Sequence, residues 1–349
     1  MSDTTLAAKA NASSSRGVDL RRIGGRLIGR DAMLILVLLA VLLVASLALP
    51  RFASPITVGY LLLDAIPILL LALPMTLIII TGEIDLSVAS VVGLSTSVIG
   101  TLVMNGTDFG TAAVVGLVTG MVAGAVNGAL IAFVGLPSLA VTIGTLALYR
   151  GLALVVIGDS AVGDFPADLT TFVSSKLGGT GIPTVMIFVV LIIVAFVITL
   201  HYTPFGRGLY ALGYSTEAAT FVGVRVARAK FLLYLASGLI AGLVGIYWCL
   251  RYSSARSDSA SGLELTVIAA VLLGGISIFG GRGTVVGALT GVLVISSINY
   301  ALRLNRVPDV VLIIITGSLL IVSVVGPRVW AGLSARRYSR LARAKLPPA

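Results

Sequence analysis

The sequence predicts an all-α, polytopic membrane protein, and three observations carry that prediction. Of its 349 residues, 58% are hydrophobic and only 11% charged, whereas soluble domains carry about 25% charged residues. Apolar runs of about 20 residues, the length that crosses a bilayer, recur along the whole chain. These runs are continuous, as at 33–49 and 186–200, where a closed β-barrel would show short strands of alternating polarity.

About ten transmembrane helices follow from the runs. Residues 1–30 form a polar, basic N-terminal tail rich in Ser, Ala and Arg. Its arginines precede an apolar run too long for a signal peptide and without a clear cleavage site, so the first helix is read as uncleaved. That helix covers 31–49 and stops at Pro50. The second, 58–80, carries Asp64, Pro67 and Pro74, and the break Thr81-Gly82-Glu83-Ile84-Asp85 leads into the third, 86–104. The fourth, 112–134, repeats glycine at 116, 120, 124 and 128, and Gly135-Leu136-Pro137 turns into the fifth, 139–157. A polar loop at 159–181 precedes the sixth, 182–200. The basic stretch 203–230 separates it from the seventh, 231–250, and a polar loop at 251–262 follows. The eighth, 263–279, ends in glycines, Gly280-Gly281-Arg282-Gly283 turns into the ninth, 284–302, and the tenth is 310–325. The transmembrane domain thus runs 31–326, and 327–349 forms a basic tail.

The net charge of +10 does not point to nucleic acid, because the basic residues concentrate in the tails and at 203–230. That is the distribution of the positive-inside rule. With both tails inside, most of the 24 lysines and arginines fall on the cytoplasmic side. Both termini and the 203–230 stretch are then cytoplasmic, and the acidic 159–181 loop lies outside. The lone Cys249 cannot form an internal disulfide. A single histidine, His201, excludes a His-cluster metal site, and neither metal nor cofactor is expected. No lysine follows a glycine, so the phosphate loop G-x-x-x-x-G-K-[ST] is absent. If ATP drives the protein, a separate polypeptide hydrolyses it, and this chain is not an enzyme.

Ionisable groups at membrane depth are costly unless they face protein or water. Glu83 and Asp85, two residues apart, do not share a helix face, which suits a turn or unwound backbone. Either Asp85 and Ser87 cap the third helix, or the break takes part in gating. Asp64, Asn127 and Arg150 face the bundle interior, paired structurally or lining the substrate path. The glycine ladders at 116–128 and at 283, 287 and 291 put a bare strip along one helix face, the kind of strip that lets backbones approach. Ser90-Val91-Val92-Gly93 resembles Thr284-Val285-Val286-Gly287, either an internal repeat of the kind transporters carry or a chance match of apolar helices.

In 203–230, Ser215-Thr216-Glu217 reads as a helix start, and the short side chains through Val222 suit a compact helix. The alternative is a merely solvated basic loop. The pattern Glu217-Ala218-Ala219 with Gly223 sits in the stretch 205–224. Together with the stretches at 81–90, 126–154 and 270–293, it resembles the permeases of bacterial ATP-binding cassette importers for ribose, xylose, rhamnose and autoinducer-2. The Ser-Ala-Arg-Ser-Asp loop at 254–258 leans toward the autoinducer-2 and rhamnose branch. The resemblance implies an ATPase partner with two nucleotide-binding domains, an extracytoplasmic sugar-binding protein and a second permease subunit, identical or related. It also implies that Glu217, Ala218, Ala219 and Gly223, with Arg207 in the same stretch, dock the ATPase. One departure stands out: relatives commonly have Gly-Gly-Ile-Asp where this chain has Gly82-Glu83-Ile84-Asp85. The expected protein is a multi-pass permease of the bacterial cytoplasmic membrane importing a monosaccharide. An ion-coupled secondary sugar transporter using Asp64, Glu83, Asp85 or Arg150 is the alternative.

Overall fold

The computed structural model describes residues 20–325. The tail sequences 1–19 and 326–349 lie outside the described residues. All regular elements among those described are helices: α1 (Leu20–Ala48), α2 (Pro55–Ile80), α3 (Val88–Met104), α4 (Phe109–Ala132), α5 (Ser138–Ile157), α6 (Ala167–Ser174), α7 (Met186–Tyr202), α8 (Pro204–Tyr214), α9 (Thr216–Phe221), α10 (Val226–Tyr252), α11 (Leu263–Leu273), α12 (Val285–Leu304) and α13 (Asp309–Val325).

Six of the described helices (α1, α2, α4, α5, α10 and α12) are long and apolar enough to cross a membrane. The pair α7 and α8, bent by 66°, makes a seventh if counted as one span. α3, α11 and α13 are apolar but shorter, so the figure of about ten is reached only if these three also cross.

α2 is the hub. From Ala65 to Ile80 every residue is buried, as befits a helix apolar on all sides and enclosed by others. Pro67 lies inside it and cannot donate to Leu63. The Tyr247 hydroxyl of α10 takes that place, donating to the Leu63 carbonyl at 2.7 Å, so the freed acceptor is satisfied in a setting with no water.

Between helices surrounded by lipid there is no hydrophobic drive, and close van der Waals packing decides association. The α4 ladder does this against α10. A Cβ on Gly120 would lie 2.8 Å from the Gly242 nitrogen, and one on Gly124 2.9 Å from the Gly238 nitrogen. The second ladder pairs α12 with α11, where a Cβ on Gly291 would stand 2.7 Å from the Gly274 nitrogen. The outward faces of α1, α4, α7 and α13 expose large apolar side chains such as Leu47, Val114, Phe188 and Ile313, the surface that lipid solvates.

Two segments differ from the sequence-based expectation, and a third agrees with it. The helix expected over 263–279 ends at Leu273. Gly275 (φ 84°), Gly280 (80°) and Gly281 (72°) then take the left-handed backbone that glycine alone adopts without strain. The 159–181 loop contains α6 and is tied down by the bridges Val162 to Ala255 and Lys176 to Pro183. The 203–230 stretch holds α8, α9 and the start of α10, with α9 where Ser215-Thr216-Glu217 reads as a helix start.

The two halves share a pattern of helix ends. At the end of α2, Gly82 (φ 82°) donates to Ile79 at 2.9 Å and Glu83 to Ile78 at 3.2 Å. At the end of α11, Gly275 (φ 84°) donates to Leu272 at 2.9 Å and Ile276 to Val271 at 3.3 Å. The ends of α3 and α12 also match: Gly106 to Val103 and Thr107 to Leu102, against Arg306 to Arg303 and Val307 to Leu302. Helix, break, helix, tight turn and helix thus occur twice, as α2–α3–α4 and α11–α12–α13.

Candidate functional site

The break between α2 and α3 is an unwound segment whose polar side chains are held by neighbours. Ile84 donates its N–H to the Ser138 hydroxyl at 3.3 Å and accepts at its carbonyl from the Tyr234 hydroxyl at 3.2 Å. Asp85, 3% exposed, accepts from the Ser87 N–H (2.9 Å), the Ser87 hydroxyl (2.6 Å) and the Ser237 hydroxyl (2.8 Å). Asn127 donates to the Ser87 oxygen at 2.8 Å, and Tyr149 reaches the Asn127 carbonyl oxygen at 3.4 Å. Asp85 therefore does bond the start of α3, through the N–H of its N-cap Ser87 rather than the first helical turn. A buried carboxylate ringed by three donors is a stable arrangement, where an unpaired one would not be.

Glu83 leaves this network and forms an ion pair with Lys230 on the first turn of α10. Both side chains are largely buried, at 17% and 19% exposed. The remaining intramembrane charges lie elsewhere. Arg150 donates to the carbonyls of Ser257 (2.8 Å) and Ser259 (2.9 Å), its guanidinium lying where Gly93 has no side chain. Asp64 pairs with Arg251 at 3.1 Å. Among the described residues no hydrogen bond or ion pair joins Asp64, Arg150 and Asp85 into one relay.

The 203–230 stretch packs directly on that break. Thr203 caps α8, accepting from the Gly206 N–H at 3.2 Å, and Gly206 is so close to the end of α7 that a Cβ would lie 2.5 Å from the Leu200 carbonyl carbon. α8 buries Leu209 and Leu212, and the Tyr210 hydroxyl donates to the Gly283 carbonyl at 2.6 Å. Gly213 fits against the Gly281 backbone, and the Gly281 N–H donates to the Ile80 carbonyl at 2.8 Å. The end of α2, the turn after α11 and α8 therefore meet at one place.

α9 projects beyond them. Ser215 caps it, accepting from the Ala218 N–H at 3.1 Å. Its end is closed by the Gly223 N–H on the Thr220 carbonyl and the Val224 N–H on the Ala219 carbonyl, both 3.0 Å, with Gly223 at φ 86°. This is the Schellman closure, which favours glycine at that position. Of the residues singled out here, Arg207, Glu217 and Ala218 are exposed. Ala219 is fully buried and anchors the helix. Phe221 is 92% exposed and Val222 74%, flanked by the exposed Arg225 and Arg228.

A cavity of about 470 Å³ opens among α2, α10, α11, α12 and α13. Asp64 lines it with Trp248, Tyr252, Ser296, Asn299 and Arg303, while Glu83, Asp85, Asn127 and Arg150 do not. Sequence reasoning missed most of this lining. The signal was present, because Ser296, Asn299, Tyr300 and Arg303 recur at the spacing of one helix face on α12. Phe221 and Val222 were missed as contacts too, although they are an apolar pair inside a polar stretch.

A bundle of apolar helices with a cavity among five of them and a short exposed helix fits a membrane transport subunit. Residues 57–323 match the family described as branched-chain amino acid transport system / permease component, and the chain belongs to it. An autoinducer 2 import system permease protein of Photorhabdus laumondii is 34% identical over 299 residues, covering 82% of this chain and 89% of that protein. The ribose import permease protein of Bacillus subtilis is 34% identical over 287 residues, with the same coverage. An autoinducer 2 import permease of Escherichia coli is 33% identical over 269 residues, 75% of this chain and 81% of that one. No solved structure matches the chain.

Proposed function

We propose that this chain is the permease subunit of an ATP-binding cassette importer carrying a monosaccharide inward across the bacterial cytoplasmic membrane. The substrate is of the ribose, rhamnose or furanosyl autoinducer-2 type. The chain itself is not an enzyme. The observation that carries the reading is α9, whose exposed Phe221 and Val222 project from α8, which is seated on the end of α2 and on the turn after α11. A partner ATPase pushing on α9 moves the two unwound segments of the repeat together. Because the sequence carries no phosphate loop, ATP hydrolysis in this reading falls to that partner.

The end of the bundle with α8 and α9 is cytoplasmic in this reading, as the positive-inside distribution favours, and both tails lie on that side. The opposite end, with α6 and the 251–262 loop, receives an extracytoplasmic sugar-binding protein. A second permease subunit completes the transporter, and no nucleic acid is involved. A switch driven by ATP requires contacts that differ between its two states. Glu83 with Lys230, and the Asp85–Ser87–Asn127 cluster behind them, are the contacts placed to differ.

The ion-coupled alternative would use Asp64, Glu83, Asp85 or Arg150 in ion coupling, and among the described residues no bond joins Asp64, Arg150 and Asp85 into one relay. The test is uptake of a panel of labelled sugars and valine by cells with and without the gene. Sugar uptake that depends on the ATPase partner and survives collapse of the proton gradient supports the proposal. Uptake that needs the gradient and no ATPase supports the ion-coupled reading, and uptake of valine alone supports an amino-acid permease.

A further inference from the structure

We infer that Arg150 is a latch at the end of the bundle opposite α9. In this structure it holds the turn 255–260 against α3, and in the other state of the transport cycle it passes to Glu264. The inference rests on the permease reading above and adds to it a pair of residues through which the outer end switches.

The turn is drawn into the bundle. Ala255 and Ala260 are buried, and Ala260 takes the left-handed backbone, at φ 60°, which is strained for a residue with a Cβ. Two glycines of α3 receive the turn. A Cβ on Gly100 would lie 2.6 Å from that of Ala255, and one on Gly93 would lie 3.2 Å from the Ser259 carbonyl oxygen. An unwound segment enclosed by membrane helices needs donors for its carbonyls, and Arg150 of α5 supplies them. Its Nη1 donates to the carbonyls of Ser257 at 2.8 Å and Ser259 at 2.9 Å, and its Nη2 to that of Ala89 at 3.4 Å. One guanidinium thus joins the turn to the first turn of α3, the helix whose start Asp85 and Ser87 hold. The outward side of the same turn carries Arg256 and Asp258, both exposed and paired with one another at 2.8 Å.

The second observation is a mismatch of charge. Arg150 bonds only to neutral carbonyls, and among the described residues it forms no ion pair. The carboxylates whose charge acts on it are Glu264 and Asp258. Asp258 is committed to Arg256. Glu264, in the first turn of α11, is not committed: its Oε2 is buried and accepts no hydrogen bond. A buried charge without a partner is costly, so a cation and a carboxylate left apart on neighbouring segments gain by meeting. A switch needs contacts that differ between its states. Exchanging two carbonyls for Glu264 is such a difference, because it frees the turn to leave α3. Arg150 is therefore a positioning residue, with Glu264 as its second seat.

The test uses the full transporter, with its ATPase and binding protein, in membrane vesicles supplied with D-ribose or L-rhamnose. Glu264→Gln should lower kcat for uptake about tenfold, the effect of losing a charge-assisted hydrogen bond from one state of the cycle. KM should stay at the wild-type value, the ATPase should still co-purify, and Glu264→Asp should restore most of the rate. A merely structural role predicts no change in kcat, since Glu264 makes no bond in this structure. Arg150→Gln should lower kcat by a similar factor, and the double variant no further, because the two residues act as one unit. Wild-type kcat in Glu264→Gln would overturn the latch while leaving the permease reading intact, whether or not Arg150→Gln folds. A raised KM with unchanged kcat would overturn it too, making Glu264 a docking contact instead. Losses that multiply in the double variant would overturn the pairing. A wild type without ATPase-dependent sugar uptake would remove the permease reading and the latch together.

Discussion

Two carboxylates in one short break have opposite fates, and the difference lies in what stands beside each. Asp85 is surrounded by hydroxyl groups and a backbone N–H, so it belongs to a fixed cluster with Ser87, Asn127 and Ser237. Glu83 meets a lysine from the start of α10, so it ties the break to the element that follows the α9 helix. Removing one donor from a buried carboxylate costs about 1.5–3 kcal/mol. Ser237→Ala should therefore lower the thermal stability of the purified protein by that amount, and an unchanged melting temperature would show that the hydroxyl is not bonded to Asp85. The Glu83–Lys230 pair is partly screened, so a double-mutant cycle with Glu83→Gln and Lys230→Met should give a coupling of about 1 kcal/mol. A coupling of zero would mean that the two side chains do not hold one another. Much of this was readable in sequence. The acidic pair two residues apart announced an unwound segment, and Ser215-Thr216-Glu217 announced the start of α9. That Lys230 answers Glu83 was not readable, because 147 residues separate them and no periodicity spans that distance.

At the scale of elements, glycine does the work that large apolar residues do in a soluble core. The α4–α10 contact is a seam of backbone against backbone, with Gly120 and Gly124 facing Gly238 and Gly242. Gly124→Val should separate the two helices, lowering the yield of folded protein in the membrane severalfold, whereas Gly144→Val should be tolerated. Gly144 has open space where its Cβ would go, so it controls for the loss of a helical glycine as such. Size-exclusion profiles of the two variants, side by side, check this. The ladders were legible because their four-residue spacing is a property of one helix. The early end of α11 was not. The break after Leu273 depends on Gly274 pressing against the Gly287 backbone of α12, a contact between helices that an apolar run cannot announce. α6 was hidden for a related reason: it is eight residues long, and its place is set by neighbouring bridges rather than by its own sequence.

For the molecule as a whole, the arrangement that matters is convergence. The break at 81–87 and the stretch at 203–230 lie far apart in the sequence. In the fold they are neighbours, joined by Glu83 with Lys230 and by Ile80 with Gly281, with α8 packed over both. The corresponding break of the second repeat, after α11, meets them there. In the proposed function, motion delivered to α9 reaches both breaks at once, while the cavity with Asp64 lies farther along α2, toward its other end. The transport class of the protein was legible from composition and from the Glu-Ala-Ala stretch. The cavity was not, because it is assembled from five helices, of which only Asp64 broke an apolar run conspicuously.

The account stands on α9 being the surface that the ATPase grips. The direct measurement is recovery of the ATPase with the affinity-purified permease carrying Phe221→Asp, alongside sugar uptake in the same cells. Phe221 is almost wholly exposed, so the substitution leaves the fold intact while placing a charge in the centre of the proposed contact. The account predicts a membrane-inserted permease at wild-type level with at least tenfold less bound ATPase and a matching loss of uptake. Full recovery of the ATPase with undiminished uptake would contradict it.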